Sequence, residues 1–336
     1  MRGHLLAAAV AVALFAPAVA QADPSTPSAT TLAVIGDIPY GAALIAEFPQ
    51  DIQEINADPD VSRVIHLGDI KNGSSRCDTS YFQARFNDFQ TFADPLVYTP
   101  GDNEWTDCHR ANNGAYNPVE RLGVIRELFF AKPGRTLGGE ASVTYQSREY
   151  PENVAWRDRG GVVYGTVHVV GSNDNHAVWF TDRAGMPETR KETGQRVREY
   201  THREAAVLDW LDTLFDAAER SDAPGLVIGM QADMWDASAA PADLSAFEAI
   251  KGVLADRAEE FGKPVLLLEG DSHILKVDRP AGMPDNLTRV VVQGSTNVPH
   301  EWTKLRVDPS RPGVFSCQEV QFVTKTVTPC PAPLTP

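Results

Sequence analysis

Four Gly-Asp pairs punctuate the chain, Gly36-Asp37, Gly68-Asp69, Gly101-Asp102 and Gly270-Asp271, and each follows a short apolar run. Composition alone would supply roughly two such pairs, so their placement says more than their number. The runs are Thr31–Ile35, Val61–Leu67, Pro95–Pro100 and Lys263–Leu268, all strand-like in length and content. Glycine before each aspartate lets the chain turn sharply without a Cβ penalty. Four carboxylates delivered to one edge of a sheet would repel one another and resist ionisation unless cations intervened. The pattern therefore predicts a cluster of divalent metal ions.

For the carboxylates to meet, the runs must be neighbouring strands whose crossovers return the chain to the same edge. The sequence predicts such crossovers as an amphipathic helix at about 47–57, aromatics at helical spacing between Tyr81 and Phe92, and a helix around Pro118–Phe130. Order weakens from Lys132 to Arg159. A strand over Gly161–Val170 then ends at Gly171-Ser172-Asn173-Asp174-Asn175. The stripe Ala205, Leu208, Leu211 and Phe215 predicts a helix over about Thr201–Ala218. A buried strand, Gly225–Met230, ends at Gln231, and a helix over Ala246–Ala258 follows. Beyond Gly270-Asp271 the stretches Ile274–Val277, Thr288–Gln293, Trp302–Val307 and Val320–Thr326 read as strands, predicted to be antiparallel. Alternating units followed by strands imply a sheet-based α/β sandwich with its site at the strand carboxyl ends.

The order of these pieces resembles the calcineurin-like metallophosphoesterase superfamily, whose motifs run Asp-x-His, Gly-Asp, Gly-Asn-His-Glu/Asp, a lone His after a strand, and Gly-His-x-His. The matching stretches are Gly36-Asp37-Ile38-Pro39, Gly68-Asp69, Gly101-Asp102-Asn103-Glu104, Met230-Gln231 and Gly270-Asp271-Ser272-His273, within residues 31–277. The resemblance implies a four-layered α/β/β/α sandwich with two divalent metal ions. Asp37, Asp69 and His273 would hold one, and Asp69, Asp102, Gln231 and Asp271 the other, with Asp69 bridging. It also implies hydrolysis of phosphate mono- or diesters through a metal-activated hydroxide.

Pro39, Asn103, Gln231 and Asp271 stand where the family has histidines, and His273 alone remains of that set. So many oxygen donors favour manganese, magnesium, calcium or iron over zinc. Asn103 occupies the place that contacts the scissile phosphate but cannot titrate. The leaving alkoxide would need another proton donor, for which His109 is the leading candidate. Glu104 would orient the ligands beside it. The replaced histidines also support a second reading, a non-catalytic binding protein that keeps the fold with a degenerate metal site.

Other polar residues have plainer expectations. His66 and His168 lie within apolar runs and read as hydrogen-bonded core residues, whereas His300, beyond the Gly294-Ser-Thr turn, could line the mouth of the site. Asn173, Asp174 and Asn175 could contact substrate or simply form an Asx turn. Tyr40, Trp105 and Trp235 each follow a motif and could wall the pocket or pack in the core.

The chain opens with Met1-Arg2-Gly3-His4, an apolar run from Leu5 to Ala16, and small-residue sites ending at Ala22. Residues 1–22 read as a secretory signal peptide, 23–30 as a Pro/Ser/Thr-rich lead-in, and 31–330 as one domain. No later stretch approaches membrane-spanning length. The net charge of −15 opposes nucleic acid and anionic membranes, and suits a protein that holds cations and takes a small phosphorylated substrate. Four cysteines in a secreted or periplasmic chain predict two disulfides. Three pairings are possible, and proximity favours Cys77 with Cys108 and Cys317 with Cys330.

Overall fold

The computed structural model describes residues 29–183 and 187–334. The predicted leader, and the lead-in up to Ser28, lie outside the described residues. Seven strands form a first sheet: β1 (Thr30–Ile35), β2 (Val61–His66), β3 (Pro95–Tyr98), β4 (Leu137–Gly138), β12 (Glu301–Val307), β13 (Phe315–Gln321) and β14 (Val327–Pro329). Seven more form a second: β5 (Thr144–Tyr145), β6 (Val154–Arg157), β7 (Val163–Thr166), β8 (Leu226–Gly229), β9 (Val265–Glu269), β10 (Lys276–Asp278) and β11 (Leu287–Val291). The orders are β14-β13-β12-β1-β2-β3-β4 and β10-β11-β9-β8-β7-β6-β5. Each sheet has a parallel centre, β1-β2-β3 in the first and β7-β8-β9-β11 in the second, flanked by antiparallel strands.

Strand alternation divides the side chains between two kinds of neighbour. In β1, Leu32 and Val34 face the other sheet, where they join Ile65, Val227, Leu266 and Val290 in a buried inter-sheet core. Ala33 and Ile35 face outward against α1 (Gly41–Asn56), α2 (Thr79–Phe89) and α3 (Pro118–Phe129) through Phe48, Ile52, Phe82 and Phe129. On the far side, Leu226, Ile228, Val265 and Leu267 pack beneath α5 (Arg190–Arg220) and α6 (Glu248–Phe261). The result is the four-layered α/β/β/α sandwich that the sequence implied. Between β7 and α5 lies the tight turn α4 (Gly171–Asp174).

Several boundaries differ from the sequence reading. The helix expected over Thr201–Ala218 begins eleven residues earlier, at Arg190. Thr189 caps it by accepting from the Glu192 N–H, and Glu192 reaches back to the Thr189 N–H, a reciprocal cap before a polar first half with no apolar stripe to reveal it. The later strands are not all antiparallel, because the chain passes through the edge strand β10 first and β11 then returns between β10 and β9, antiparallel to the one and parallel to the other. Of the run Val320–Thr326 only Val320 and Gln321 are strand, the end of β13. Val323 and Lys325 take left-handed backbone (φ 67° and 55°), which turns the chain between β13 and β14. The weakly patterned 132–159 stretch holds three strands of two to four residues, too short for alternation to show.

Both expected disulfides are formed, Cys77–Cys108 and Cys317–Cys330. Among the described residues no helix is long and apolar enough to cross a membrane. These features are compatible with an exported protein.

Candidate metal centre

The parallel strands of both sheets run toward one edge of the sandwich, so the turns that follow them share a common rim. β1, β2 and β3 deliver Asp37, Asp69 and Asp102, while β8 and β9 deliver Gln231 and Asp271 from the facing sheet. Asp37, Asp69 and Asp271 adopt left-handed backbone (φ 55°, 58° and 68°), as does His273 (φ 61°). Such conformations are strained for non-glycine residues and concentrate at functional sites. Gly171 shows how tightly the turns are drawn together, since a Cβ there would sit 2.8 Å from an Asp271 carboxylate oxygen and 2.9 Å from one of Asp102.

Two triads of ligand-bearing side chains result. Asp37, Asp69 and His273 place one donor atom each within 4.8 Å of one another, and so do Asp69, Asp102 and Asp271. Asp69 belongs to both. Asp271 donates its N–H to both Asp37 carboxylate oxygens at 3.1 Å, which links the triads through the backbone. His273 Nε2 lies 3.3 Å from Asp37 Oδ1, and its Nδ1 is 2.7 Å from Thr296 Oγ1. With the proton on Nδ1, donated to Thr296, the Nε2 lone pair is left for a cation.

The electrostatics fit cation binding. Burial, reinforced by Asp102, Glu104 and Asp37, holds the Asp69 carboxyl well above the usual carboxylate range. Burial together with Asp102 and Asp37 does the same to Asp271. The Asp37 carboxyl is also raised, chiefly by burial, with His273 opposing. Divalent cations would relieve this crowding, and the carboxylate-rich donor set suits them. A third group, Cys317, Glu319 and Cys330, also has ligand-like spacing, but its sulfurs are joined in a disulfide and offer no thiolate.

Gln231 lies among the carboxylates with its amide engaged at both ends. Its Oε1, the atom a metal would use, accepts from the Gly171 N–H at 2.6 Å, while its Nε2 donates to Asp271 at 3.0 Å and Asp102 at 3.3 Å. Both ends of the amide are satisfied only in this orientation, so Gln231 brackets two carboxylates instead of offering an oxygen. Asn103 is likewise committed. Its Nδ2 donates to Asp69 Oδ2 at 2.6 Å and to the Tyr40 hydroxyl at 3.1 Å, and its N–H donates to Asp69 Oδ1 at 3.1 Å.

His109 also departs from expectation. It closes the 3-10 turn Thr106–His109, where its Nδ1 accepts from the Phe180 N–H at 2.8 Å. Burial and the neighbouring Arg110 lower its pKa to about 4. It is thus a neutral imidazole tied to Phe180, and its hydrogen bonding does not lead toward the carboxylates. Glu104 accepts from the Asp69 and Gly101 N–H groups at 3.1 and 2.7 Å and from the Tyr98 hydroxyl at 2.7 Å.

Four contributors escaped the sequence reading. Ser172 Oγ lies 2.9 Å from both Asp102 Oδ2 and Asp107 Oδ1, and so joins the cluster to a fifth carboxylate. Asp107 is buried beside Asp102 and its carboxyl is pushed up to about 7, by burial first and Asp102 second. Lys71, buried two residues past Asp69, donates to the Asn103 carbonyl at 2.7 Å, and burial lowers its pKa to about 8. Thr296 reaches the site from the loop after β11. The available signals were positional: Ser172 follows a strand-ending glycine, and Lys71 follows a Gly-Asp pair.

The turn that carries Ser172 is left-handed over four consecutive residues, with φ of 53°, 52°, 50° and 65° from Ser172 to Asn175. Such backbone costs roughly 1–2 kcal/mol per residue. Side chains hold it in place. Asn173 bonds Ala242 and Ala246, Arg203 bonds both the carboxylate and the carbonyl of Asp174, and Asn175 bonds Trp179 and Glu199. These three anchors leave only Ser172 and the Gly171 N–H directed at the cluster. His66 and His168 are core residues as expected, bonded to the Ile38 carbonyl and to Glu152. Trp105 packs in the core and Trp235 bonds the Ala281 carbonyl, leaving Tyr40 as the aromatic at the site, its hydroxyl 3.1 Å from Asp69.

No protein-family model matches the chain, and no curated protein does. Solved structures do resemble it. GAP50, described as the anchor in the inner membrane complex of Plasmodium, aligns over 90% of this chain and 88% of its own at 8% identity, with a TM-score of 0.50. A Staphylococcus aureus protein named as a candidate 5′-nucleotidase aligns over 90% of this chain and 54% of its own, at 10% identity and a TM-score of 0.44. The chain thus spans about half the length of the second. The likeness to GAP50 is one of fold alone.

Proposed function

We propose that this chain is an exported, metal-dependent phosphoesterase of the calcineurin-like type, acting on phosphate mono- or diesters of small molecules. The observation that carries this reading is the sharing of Asp69 between two triads of donors, one with Asp37 and His273 and one with Asp102 and Asp271. Such a shared carboxylate suits a pair of cations. When bound, the cations would lower the pKa of water and neutralise charge developing on the phosphoryl oxygens.

The chain's own residues then have separable tasks. Asp37, Asp69, Asp102, Asp271 and His273 hold the cations. Gln231 and Asn103 fix the carboxylates they bond, Glu104 fixes the backbone of the Asp69 and Gly101 turns, and Thr296 fixes the His273 ring. Local positive charge is also what would admit a phosphorylated substrate to a molecule whose net charge is −15. Export is supported by the leader pattern and by the two disulfides.

A second reading, a non-catalytic metal-binding module, is favoured by one observation: Asn103 is bonded to Asp69 and His109 to Phe180, so neither is free to serve substrate. Metal analysis of the purified protein, with turnover of aryl phosphate mono- and diesters under added manganese, magnesium, calcium or zinc, separates the two. The enzyme reading expects two cations per chain and a turnover that Asp69→Asn lowers by at least about a hundredfold, the loss of several kcal/mol of charge stabilisation. Bound metal without turnover selects the second reading. Neither metal nor turnover overturns both.

A further inference from the structure

At the opposite end of the sandwich, the amino ends of the strands open into a crevice of about 630 Å³ lined by Thr30, Ser62, Arg63, Trp156, Arg157 and Arg159, among others. It lies a whole strand away from the metal cluster, about 15–20 Å for the five or six residues of β1 or β2. Arg63 rises from β2 and lays its guanidinium over the Trp156 ring, 4.8 Å from the centroid, while Tyr164 stacks on the same indole. Its Nη1 is buried and has no hydrogen-bond acceptor.

That absence is unusual within this molecule. The other arginines that are not exposed have carboxylate partners, among them Arg85 with Asp88, Arg121 with Glu120, Arg126 with Glu152, Arg196 with Glu188, Arg203 with Asp174 and Arg289 with Asp233. Among the described residues Arg63 is the half-buried arginine without one. Burial lowers its pKa from the ordinary arginine value, opposed only by the Tyr164 phenol. The one carboxylate on the crevice wall, Asp158, already accepts from the Val162 N–H at 2.9 Å and the Tyr164 hydroxyl at 2.8 Å. Arg157 spends its donors on the Gly161 and Ser221 carbonyls, yet keeps its charge at the opening, and Arg159 is exposed beside it.

We infer that this crevice is a binding site for a tetrahedral oxyanion, a phosphate or sulfate group, received by Arg63 with Arg157 and Arg159 at its mouth. The indole beneath the guanidinium favours this placement of Arg63 over one turned toward another partner, so its remaining donors are largely positioned before a ligand arrives. A planar fork of this kind matches an oxyanion edge. In a chain of net charge −15, three arginines against one engaged aspartate also give this crevice a local positive charge that offsets the repulsion an anion would meet. The anion could be free or the head group of an anionic lipid, and both would present the same chemistry.

The experiment uses the full chain treated with EDTA, so that phosphate has no metal to bind. Inorganic phosphate is titrated at constant ionic strength, with tryptophan fluorescence and calorimetry as readouts and chloride as the control. A parallel arm measures co-sedimentation with phosphatidylglycerol vesicles. The expected result is saturable binding in one arm at least, weakened about tenfold or more by Arg63→Gln, the loss of one or two charged hydrogen bonds. Arg159→Gln, an exposed substitution that leaves packing intact, should weaken it severalfold and keeps the test valid should Arg63→Gln misfold. Saturation by phosphate alone identifies a soluble anion, and vesicle binding alone a lipid head group. No saturable response in either arm, or responses that neither substitution changes, would overturn the inference.

Discussion

Ser172 touches two carboxylates with one hydroxyl, and one hydroxyl has one proton. It can donate to Asp102 or to Asp107 but not to both at once, so it acts as a movable latch on the carboxylate that belongs to the second triad. Partners that orient a ligand from behind commonly carry 10–100-fold of metal affinity. Ser172→Ala is therefore expected to weaken manganese binding by about that factor while lowering the unfolding free energy of the metal-free protein by no more than about 1 kcal/mol. Calorimetric titration with manganese measures the first and urea unfolding the second. Equal affinities for the two proteins would remove Ser172 from the site. This residue also marks where reading the sequence stops. Asp37, Asp69, Asp102 and Asp271 were visible because each closes an apolar run, a local signal. Ser172 meets Asp107 across 65 positions of sequence through a left-handed turn that no propensity favours. Gln231 was visible for its position, but the direction of its amide was not, because that depends on a backbone N–H sixty residues away.

Elements were legible in proportion to their length and burial. The central strands and the second half of α5 announced themselves through unbroken apolar runs or a helical stripe, whereas β4, β5 and β6 have two to four residues each and no period to detect. The pair β12 and β13 adds a feature that only pairing reveals. Glu319 on β13 lies opposite Thr303 on β12, is buried, and accepts from the Thr303 hydroxyl at 3.0 and 3.1 Å. Burial pushes its carboxyl up to about 7, with the Thr303 hydrogen bond opposing. A folded-state pKa above the ordinary value of 4.5 means that the folded chain holds this proton more tightly than the unfolded chain. The associated stability is present in full below pH 4.5 and is lost as pH rises through 7. Glu319→Gln keeps the shape and removes the titration. It should leave stability unchanged at pH 4.5 and raise it by up to about 3 kcal/mol at pH 8, flattening that part of the profile. Urea unfolding across this range checks the sign, and a variant less stable than the parent at pH 8 would contradict it.

On the scale of the whole molecule, the cluster is a joint between two sheets that otherwise meet through apolar side chains. The first sheet supplies Asp37, Asp69 and Asp102, the second supplies Asp271 and His273, and the buried core between them contains little that is directional. In the metal-free state, carboxylates from opposite sheets face one another across this joint, and their mutual repulsion adds to the self-repulsion of a chain already at −15. A ligand that binds only the folded form stabilises it by mass action, about 2.7 kcal/mol when its free concentration is a hundred times its dissociation constant. For a domain of this size that is a rise in melting temperature of roughly 4 °C. Manganese added to EDTA-treated protein should thus raise the melting temperature in a saturable way, and Asp69→Asn, which removes a donor from both triads, should abolish most of the rise. Since Asp69→Asn also relieves repulsion, the variant should melt higher than the parent in EDTA and lower than it in manganese. That crossing of the two curves is specific to a cluster whose charges are compensated by cations. A purely structural aspartate would make the variant less stable under both conditions, so differential scanning calorimetry of the two proteins in the two buffers decides between them.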